Sequence, residues 1–400
     1  MNAADTAFVL ICSALVMFMT PGLGLFYGGM VRSKNVLATI MQSFILVGLV
    51  SVLWAVAGYT LAFGKDIGGV IGNLDFLFLN NVGMEAGPYS NTIPHLAFMI
   101  FQCMFAVITP ALITGAFAER MKFGGFLVFS TLWIFLVYAP MAHWVWGKGW
   151  MAEMGALDFA GGAVVHMSSA AAALAATVVL GKRKGYGRMP FIPHNLPMTV
   201  LGAAILWFGW FGFNAGSALA ADGFAANAFV TTHLAAAAAA LSWIFMEWRH
   251  SGKATTLGAA SGAVAGLVAI TPGAGFVTPM PAIVIGLVGG ALCFGGVLLK
   301  GRLGYDDSLD VVGVHGVGGT WGAIATGLFA SINKAQGLFY GNPSQLWIQL
   351  ASVAATWAFC FTASLILFKL VDATIGLRAS ADEEDRGLDL SQHNETGYQA

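Results

Sequence analysis

Residues 158–169 read Asp-Phe-Ala-Gly-Gly-Ala-Val-Val-His-Met-Ser-Ser, and residues 310–319 read Asp-Val-Val-Gly-Val-His-Gly-Val-Gly-Gly. Each stretch places one histidine, His166 or His315, in a glycine-rich apolar run that follows an aspartate. An imidazole in hydrocarbon is costly unless it is paired or lines a polar path, so both histidines are candidates for function. The alternative for either one alone is a buried histidine bonded to a neighbouring carbonyl. Because both histidines occur in the same kind of sequence, a functional role is favoured over a purely structural one.

The composition is that of a membrane protein. Of the 400 residues, 58% are hydrophobic and only 9% are charged, and the mean hydropathy is +0.78. A soluble globular chain carries roughly 25% charged residues. The net charge of -1 gives no indication of a nucleic-acid partner. The cysteines lie in apolar runs without CxxC spacing, which predicts packing and no disulfide or metal role, at Cys12, Cys103, Cys293 and Cys360.

Eleven apolar stretches are long enough to cross about 30 Å of hydrocarbon. They fall near 7–31, 37–63, 94–118, 123–146, 161–181, 196–218, 226–248, 255–272, 280–300, 311–331 and 346–371. The sequence therefore predicts an all-α polytopic membrane protein with eleven transmembrane helices. Because eleven is odd, the two termini lie on opposite sides of the membrane.

The distribution of basic residues predicts the orientation. Of the 18 Lys and Arg residues, all but Lys65, Lys148 and Lys334 lie at the C-terminal end or in connections that follow odd-numbered spans. The positive-inside rule assigns that side to the cytoplasm. We therefore expect the N-terminus outside and the C-terminus in the cytoplasm.

The spans divide as five plus five plus one. An odd-numbered unit repeated in tandem has inverted topology, a common plan among transporters. The two halves cover about 7–181 and 196–331, and an additional helix covers 346–371. Together they form a membrane domain of 1–372, which a cytoplasmic tail of 373–400 follows. His166 lies in the fifth span and His315 in the tenth, so the repeat brings them together near mid-depth.

Local signals add two expectations. Proline beside glycine in 20–24 and 271–273 predicts kinks or breaks in the first and eighth spans. Asp158, eight residues before His166, and Asp310, five residues before His315, are each predicted to cap a helix start, where free N–H groups accept a carboxylate partner.

Nearly the whole chain resembles the ammonium transporter family (Amt/Mep/Rh), in its bacterial or archaeal Amt type. The resemblance rests on the order of several motifs, Phe26 to Arg32, Phe105 to Arg120, Asp158 to His166, Phe208 to Ser217 and Gly313 to Gly316. It implies an eleven-helix bundle in the cytoplasmic (inner) membrane, assembled as a homotrimer with one pore per subunit.

The resemblance also assigns roles to particular residues. It implies that Phe105, Trp146 and Ser217 bind ammonium at an outer vestibule, that Phe105 and Phe213 form a gate, and that His166 and His315 line the pore and share a hydrogen bond. It implies structural support from Asp158, Asp310 and Trp210. Without it, two phenylalanines among 30 indicate ordinary packing, and the aromatic run at 143–150 is typical of an interfacial belt.

The mechanism that the resemblance implies needs no cofactor. Ammonium is captured and loses a proton at the gate, and neutral ammonia passes the histidines. Potassium is nearly the same size, so a size filter cannot separate the two ions. Ammonium donates hydrogen bonds, whereas potassium in a dry path with few acceptors is left undercoordinated.

The chain from Ala379 onward is acidic, and a solvated tail explains that composition. By resemblance the tail is ordered and governs docking of a PII signalling protein. A second interpretation is an ammonium sensor that signals through PII. A third, a membrane enzyme with a metal or haem, is disfavoured because neither histidine has a His, Cys or carboxylate three or four residues away.

Overall fold

A computed structural model describes residues 1–398, and nearly all of its regular structure is helical. Within this range eleven helices follow the eleven predicted spans, which confirms the predicted architecture. In order they are Ala3–Met30, 36–63, His95–Phe117, 123–145, Gly162–Leu180, Leu196–Ala215, Gly223–Ser251, Thr256–Ile270, Pro279–Leu303, 312–329 and Pro343–Thr374. We refer to them as the first to eleventh spans.

The remaining elements are short. A helix at Trp150–Met154 follows the fourth span, and two helices at Ala381–Arg386 and Leu388–His393 form the tail. Single turns of 3₁₀ helix lie at Ser33–Asn35, Leu77–Leu79, Gly216–Ala218 and Leu338–Tyr340. Between the second and third spans, Asp66–Ile67 pairs antiparallel with Ile71–Gly72, and Ala86–Gly87 pairs antiparallel with Ser90–Pro94.

The two proline-glycine sites behave differently. The eighth span ends at Ile270, directly before Thr271 and Pro272, so the predicted break occurs there. The first span passes through Pro21 and continues to Met30 without ending. Both sites are surrounded by protein, which is the condition for tolerating an interrupted backbone ladder in a membrane.

Four spans contain a segment of π-helix, in which the hydrogen bonds run to the fifth residue. In the second and fourth spans these segments lie at Trp54–Gly58 and Ile134–Tyr138. In the fifth and tenth spans they lie at Gly162–Met167 and Val312–Gly316 and contain the two histidines. Such segments occur frequently at functional sites.

Small residues let the spans approach closely. A Cβ atom on Gly202 of the sixth span would lie 2.2 Å from the backbone nitrogen of Phe26 in the first. One on Gly286 of the ninth span would lie 2.2 Å from the carbonyl oxygen of Ala235 in the seventh. This is the small-residue packing by which helices associate in lipid. The fifth and tenth spans, equivalent in the two halves, meet at their histidines.

Candidate functional site

The two histidines form a direct pair. Their Nδ1 atoms are 3.2 Å apart and their rings lie 5.3 Å apart at 25°. His166 is 1% exposed and His315 is 4% exposed. In a neutral pair one Nδ1 carries the proton and the other accepts it, so the two outward Nε2 atoms are one acceptor and one donor. His166 Nε2 is buried and has no hydrogen-bond partner within residues 1–398.

Asp158 holds the start of the fifth span. Its carboxylate accepts hydrogen bonds from the backbone N–H groups of Gly161, Gly162 and Ala163 at 2.9, 2.6 and 2.8 Å. A further bond from Val164 is 3.3 Å long. This is the capping geometry that the sequence predicts, and it anchors the π-segment that carries His166.

The capping role predicted for Asp310 is wrong, because Asp307 performs it. Asp307 Oδ2 accepts from the backbone N–H of Val312 at 2.7 Å. Asp310 has a positive φ of 63°, and its carboxylate lies 2.5 Å from Lys300 Nζ instead. Asp310 therefore supports the site by tying it to the ninth span.

The missed signal was the spacing, since Asp307 precedes His315 by eight residues, as Asp158 precedes His166.

The two gate phenylalanines are in contact. The rings of Phe105 and Phe213 are 4.4 Å apart, and each side chain is 1% exposed. On the other side, the Phe213 ring stacks at 6.0 Å and 20° on the ring of His166. Trp210 also stacks on His166, at 5.4 Å, and its indole N–H donates to Thr271 Oγ1 at 2.9 Å. The structure thus joins the predicted gate, support and pore residues in one stack.

A cavity of about 280 Å³ lies against the Phe105 side of this stack, and we call it the vestibule. Its lining includes all three residues expected to bind ammonium, Phe105, Trp146 and Ser217. Trp146 meets the Phe105 ring at 5.7 Å and 82°, and Ser217 Oγ donates to the Phe213 carbonyl at 2.9 Å. The remaining lining, which the sequence did not single out, is Tyr89, Phe98, Gln102, Val145, Phe159 and Leu219.

A second, smaller cavity of about 60 Å³ lies beyond His315. Apart from Asp310, Ser261 and His315 its lining is aromatic or aliphatic, and it includes Tyr27 and Val314. The vestibule, the two phenylalanines, the two histidines and this narrow, mostly apolar cavity thus lie in series. Within residues 1–398 there is no cluster of three or more His, Cys, Asp or Glu side chains that could hold a metal ion.

Buried charges tie together four connections at the end of the bundle nearest this second cavity. Glu119 accepts from Arg32 Nε at 3.0 Å and from Arg183 Nη1 at 3.1 Å. Asp306 accepts from Arg183 Nε and Nη2 at 2.9 and 2.8 Å. Burial raises the pKa of Asp306, but its bonds to Arg183 outweigh burial and hold the pKa below its usual value. Sequence reasoning counted Arg32 and Arg183 as topology signals and missed the network.

The tail docks on the same end. Arg378 donates to the carbonyl oxygens of Leu180 and Lys182, both at 2.8 Å. Asp389 accepts from the backbone N–H groups of Leu37 and Ala38, at 3.0 and 2.8 Å. The tail is thus ordered, as the resemblance implies, and is not a solvated extension.

This chain is similar in sequence and in fold to known proteins. The profile described as Ammonium Transporter Family matches residues 7–398. An ammonium transporter of Bacillus subtilis (strain 168) is 56% identical, covering 100% of this chain and 99% of the relative. Ammonium transporter Amt1 of Archaeoglobus fulgidus is 50% identical, with 100% of both chains covered.

Solved structures agree. The crystal structure of Candida albicans Mep2 superposes with a TM-score of 0.90 at 37% identity, covering 96% of this chain and 88% of that one. A structure named Sensor Amt Protein superposes with a TM-score of 0.91 at 30% identity, with 98% of both chains covered. The chain therefore belongs to the ammonium transporter family.

Proposed function

We propose that this transporter captures NH4+ in the vestibule, that the ion releases a proton to vestibule water at the phenylalanine gate, and that NH3 passes beside the two histidines. The observation that carries the proposal is the continuous order of vestibule, stacked rings, paired imidazoles and apolar cavity. The two ends of this series suit different forms of the substrate, NH4+ and NH3. The aromatic vestibule suits a cation, and the apolar stretch suits a neutral molecule.

The vestibule attracts the ion through ring faces and oxygen lone pairs. A tryptophan or phenylalanine face attracts a desolvated cation by about 2 kcal/mol or more. The Ser217 hydroxyl donates its hydrogen bond to the Phe213 carbonyl, so its oxygen can accept a hydrogen bond from an N–H group of the ion. Both features favour ammonium over a neutral solute.

Past the gate the balance reverses. The Phe105 and Phe213 rings and the lining beyond His315 offer few oxygens to replace an ion's water shell. A charged ion therefore loses its hydration without compensation, whereas NH3 gives up fewer hydrogen bonds. The Nε2 atoms of the histidine pair provide one acceptor and one donor for NH3 in this dry stretch. Potassium cannot lose a proton and so stays outside.

The same proposal includes the setting of the protein in the cell. We place the basic connections and the tail in the cytoplasm and the N-terminus outside, in the cytoplasmic (inner) membrane, because of the charge distribution. We keep the division into a membrane domain of 1–372 and a tail of 373–400. We propose a homotrimer, and a PII signalling protein that docks at the cytoplasmic face beside the tail.

A second candidate function is an ammonium sensor that signals through PII. The observation that favours it is the ordered tail, which contacts connections at the mouth of the pore and could report occupancy of the pore. The similarity in fold to a protein named Sensor Amt Protein supports this candidate. Rapid ammonium flux through the purified protein would favour the transporter over the sensor.

The test is uptake by the purified protein. Proteoliposomes containing the full chain should accumulate ammonium faster than protein-free liposomes of the same lipid composition, and potassium should not enter. Equal ammonium entry in both preparations would overturn transport and leave the sensor. Internal pH should be recorded at the same time, since passive diffusion of NH3 alone alkalinises both preparations equally.

A further inference from the structure

We propose that Gln102 is a substrate-binding residue of the vestibule, whose amide oxygen accepts a hydrogen bond from ammonium. Gln102 lies on the third span, one helical turn before the gate residue Phe105, and it lines the vestibule. Its side chain is 8% exposed, and its Oε1 atom has no hydrogen-bond partner in the part of the chain that the structure describes. The inference rests on the proposed function and adds a residue to its binding site.

A buried amide oxygen without a donor is costly, and where it borders a cavity a ligand can supply the missing donor. Inside a membrane no bulk water reaches such a group except through a cavity, and the vestibule is the cavity that Gln102 borders. The terminal torsion of glutamine has broad minima, so the amide can turn its oxygen toward an ion at little cost. An ion with N–H groups in the vestibule would supply the missing donor.

The hydrogens of the other polar groups in the vestibule lining are already donated to backbone carbonyls. Ser217 Oγ donates to the Phe213 carbonyl at 2.9 Å, and Trp146 Nε1 donates to the Asp158 carbonyl at 2.9 Å. The hydroxyl of Tyr89 donates to the Phe63 carbonyl at 2.9 Å. Ser217 and Tyr89 therefore offer oxygen lone pairs and Trp146 a ring face, and the Gln102 amide adds an acceptor when its oxygen is turned toward the cavity.

This pattern complements a solute that only donates, which describes ammonium. With Ser217 and Gln102 as acceptors, two of the four N–H groups of the ion are bonded and the ring faces take others. Potassium prefers several more oxygens than these two side chains supply. Methylammonium has one N–H fewer, so loss of an acceptor should matter less for methylammonium than for ammonium.

The chain offers a matched control. Gln42 in the second span is 3% exposed, and its Oε1 atom likewise has no partner within residues 1–398, but it does not line the vestibule. A leucine at either position removes a buried amide from a membrane helix. Only the change at Gln102 removes an acceptor from the cavity.

The experiment compares Gln102→Leu, Gln42→Leu and the unaltered full chain in proteoliposomes. Concentration series of ammonium uptake give the half-saturation concentration and the maximal rate. We expect Gln102→Leu to raise the half-saturation concentration for ammonium about tenfold, which is the loss of one hydrogen bond to a charged group. The value for methylammonium should rise less, and Gln42→Leu should match the unaltered chain.

A second variant guards against a folding defect. Gln102→Glu keeps the shape and the acceptor, so its half-saturation concentration should stay at or below that of the unaltered chain. The inference is overturned if Gln102→Leu binds ammonium as the unaltered chain does, or if Glu and Leu at this position weaken binding equally. If the unaltered chain shows no uptake at all, the proposed function fails, which is a different result.

Discussion

The histidine pair shows what single residues reveal to sequence reasoning. His166 and His315 stand out because an ionisable side chain in an apolar span is rare and costly. Because they lie in the fifth and tenth of eleven spans, the predicted repeat brings them together, and their Nδ1 atoms are 3.2 Å apart. Gln102 was missed because an uncharged amide in an apolar helix carries no comparable signal. Only the cavity beside it reveals its role.

The vestibule residues give the first prediction. Trp146→Leu should raise the half-saturation concentration for ammonium about thirtyfold and Ser217→Ala about tenfold, and both changes should leave the fold intact. The tryptophan change removes a ring face worth about 2 kcal/mol or more to a desolvated cation, and the serine change removes one acceptor. The measurement is ammonium uptake over a concentration series, with thermal unfolding as the check on folding. Unchanged half-saturation in both variants would place the binding site elsewhere.

At the scale of elements, the spans were predictable and their internal geometry was not. Hydropathy sets the length of each helix, and all eleven spans observed within residues 1–398 begin within five residues of the predicted start. The π-segments around His166 and His315 depend instead on tertiary packing. Asp158 and Asp307 fix the start of each segment, and only the first of these caps was expected.

Close packing of the fifth span gives the second prediction. A Cβ atom on Gly162 would lie 2.7 Å from the ring of Pro272, which is rigid and cannot move aside. Gly162→Ala should therefore destabilise the protein by about 1–3 kcal/mol and displace the segment that carries His166. The temperature of thermal unfolding and the rate of ammonium uptake should both fall. Gly124→Ala is the control, because a Cβ there meets nothing within 4 Å.

If the two alanine variants unfold at the same temperature and transport alike, the close approach of the fifth span to Pro272 has no energetic weight.

A contact between the C-terminal end of the fourth span, beside Trp146, and the loop that follows the second span gives the third prediction, which concerns pH. His143 Nε2 lies 2.8 Å from Asp66 Oδ1, and its Nδ1 lies 2.9 Å from the Ala62 carbonyl, which can only accept. The hydrogen bonds from His143 and from the Gly69 N–H lower the pKa of Asp66. A carboxyl group whose pKa is lowered on folding stabilises the fold above its unfolded pKa of about 3.9 and loses that effect as the pH falls through its folded pKa.

The unaltered chain should thus lose about 1 kcal/mol or less of stability from this partly exposed pair as the pH falls below about 4. Asp66→Asn should lack that increment at neutral pH and show a smaller loss on acidification. Thermal unfolding of both proteins across this pH range is the measurement. Parallel curves for the two proteins would show that the pair contributes nothing.

At the scale of the whole molecule, the tail joins the pore domain through its basic connections. Because Arg378 and the acidic run from Ala379 have the charge and hydrogen-bonding groups to dock there, the sequence predicts that the tail contacts the basic connections at 182–188 and 249–253. The tail contacts the first, where Lys184 pairs with Asp385 and Arg378 meets Lys182. No tail bond to 249–253 occurs among the described residues; the tail reaches 34–38 instead. Helix length does not reveal which loops adjoin a tail, so this part required the structure.

The fourth prediction follows from that docking. Truncation after Thr374 keeps the eleventh span whole and removes every tail contact. We expect the truncated protein to remain a trimer, to conduct at a changed rate and to lose sensitivity to the host's PII protein. Arg378→Ala should share part of this loss, whereas Arg386→Ala, which changes an exposed side chain, should not. Light scattering and uptake with and without PII are the measurements, and full PII inhibition of the truncated protein would contradict the tail's role.

The most direct test of the account is ion discrimination by the histidine pair. The full chain, His166→Ala and His315→Ala are reconstituted separately, and currents and uptake are recorded in ammonium and in potassium solutions. The account predicts ammonium conduction without potassium conduction in the unaltered chain. It predicts reduced ammonium conduction and measurable potassium entry in both variants, because each loses a polar contact of the dry pore and gains space for water. Unaltered selectivity in both variants would contradict the account.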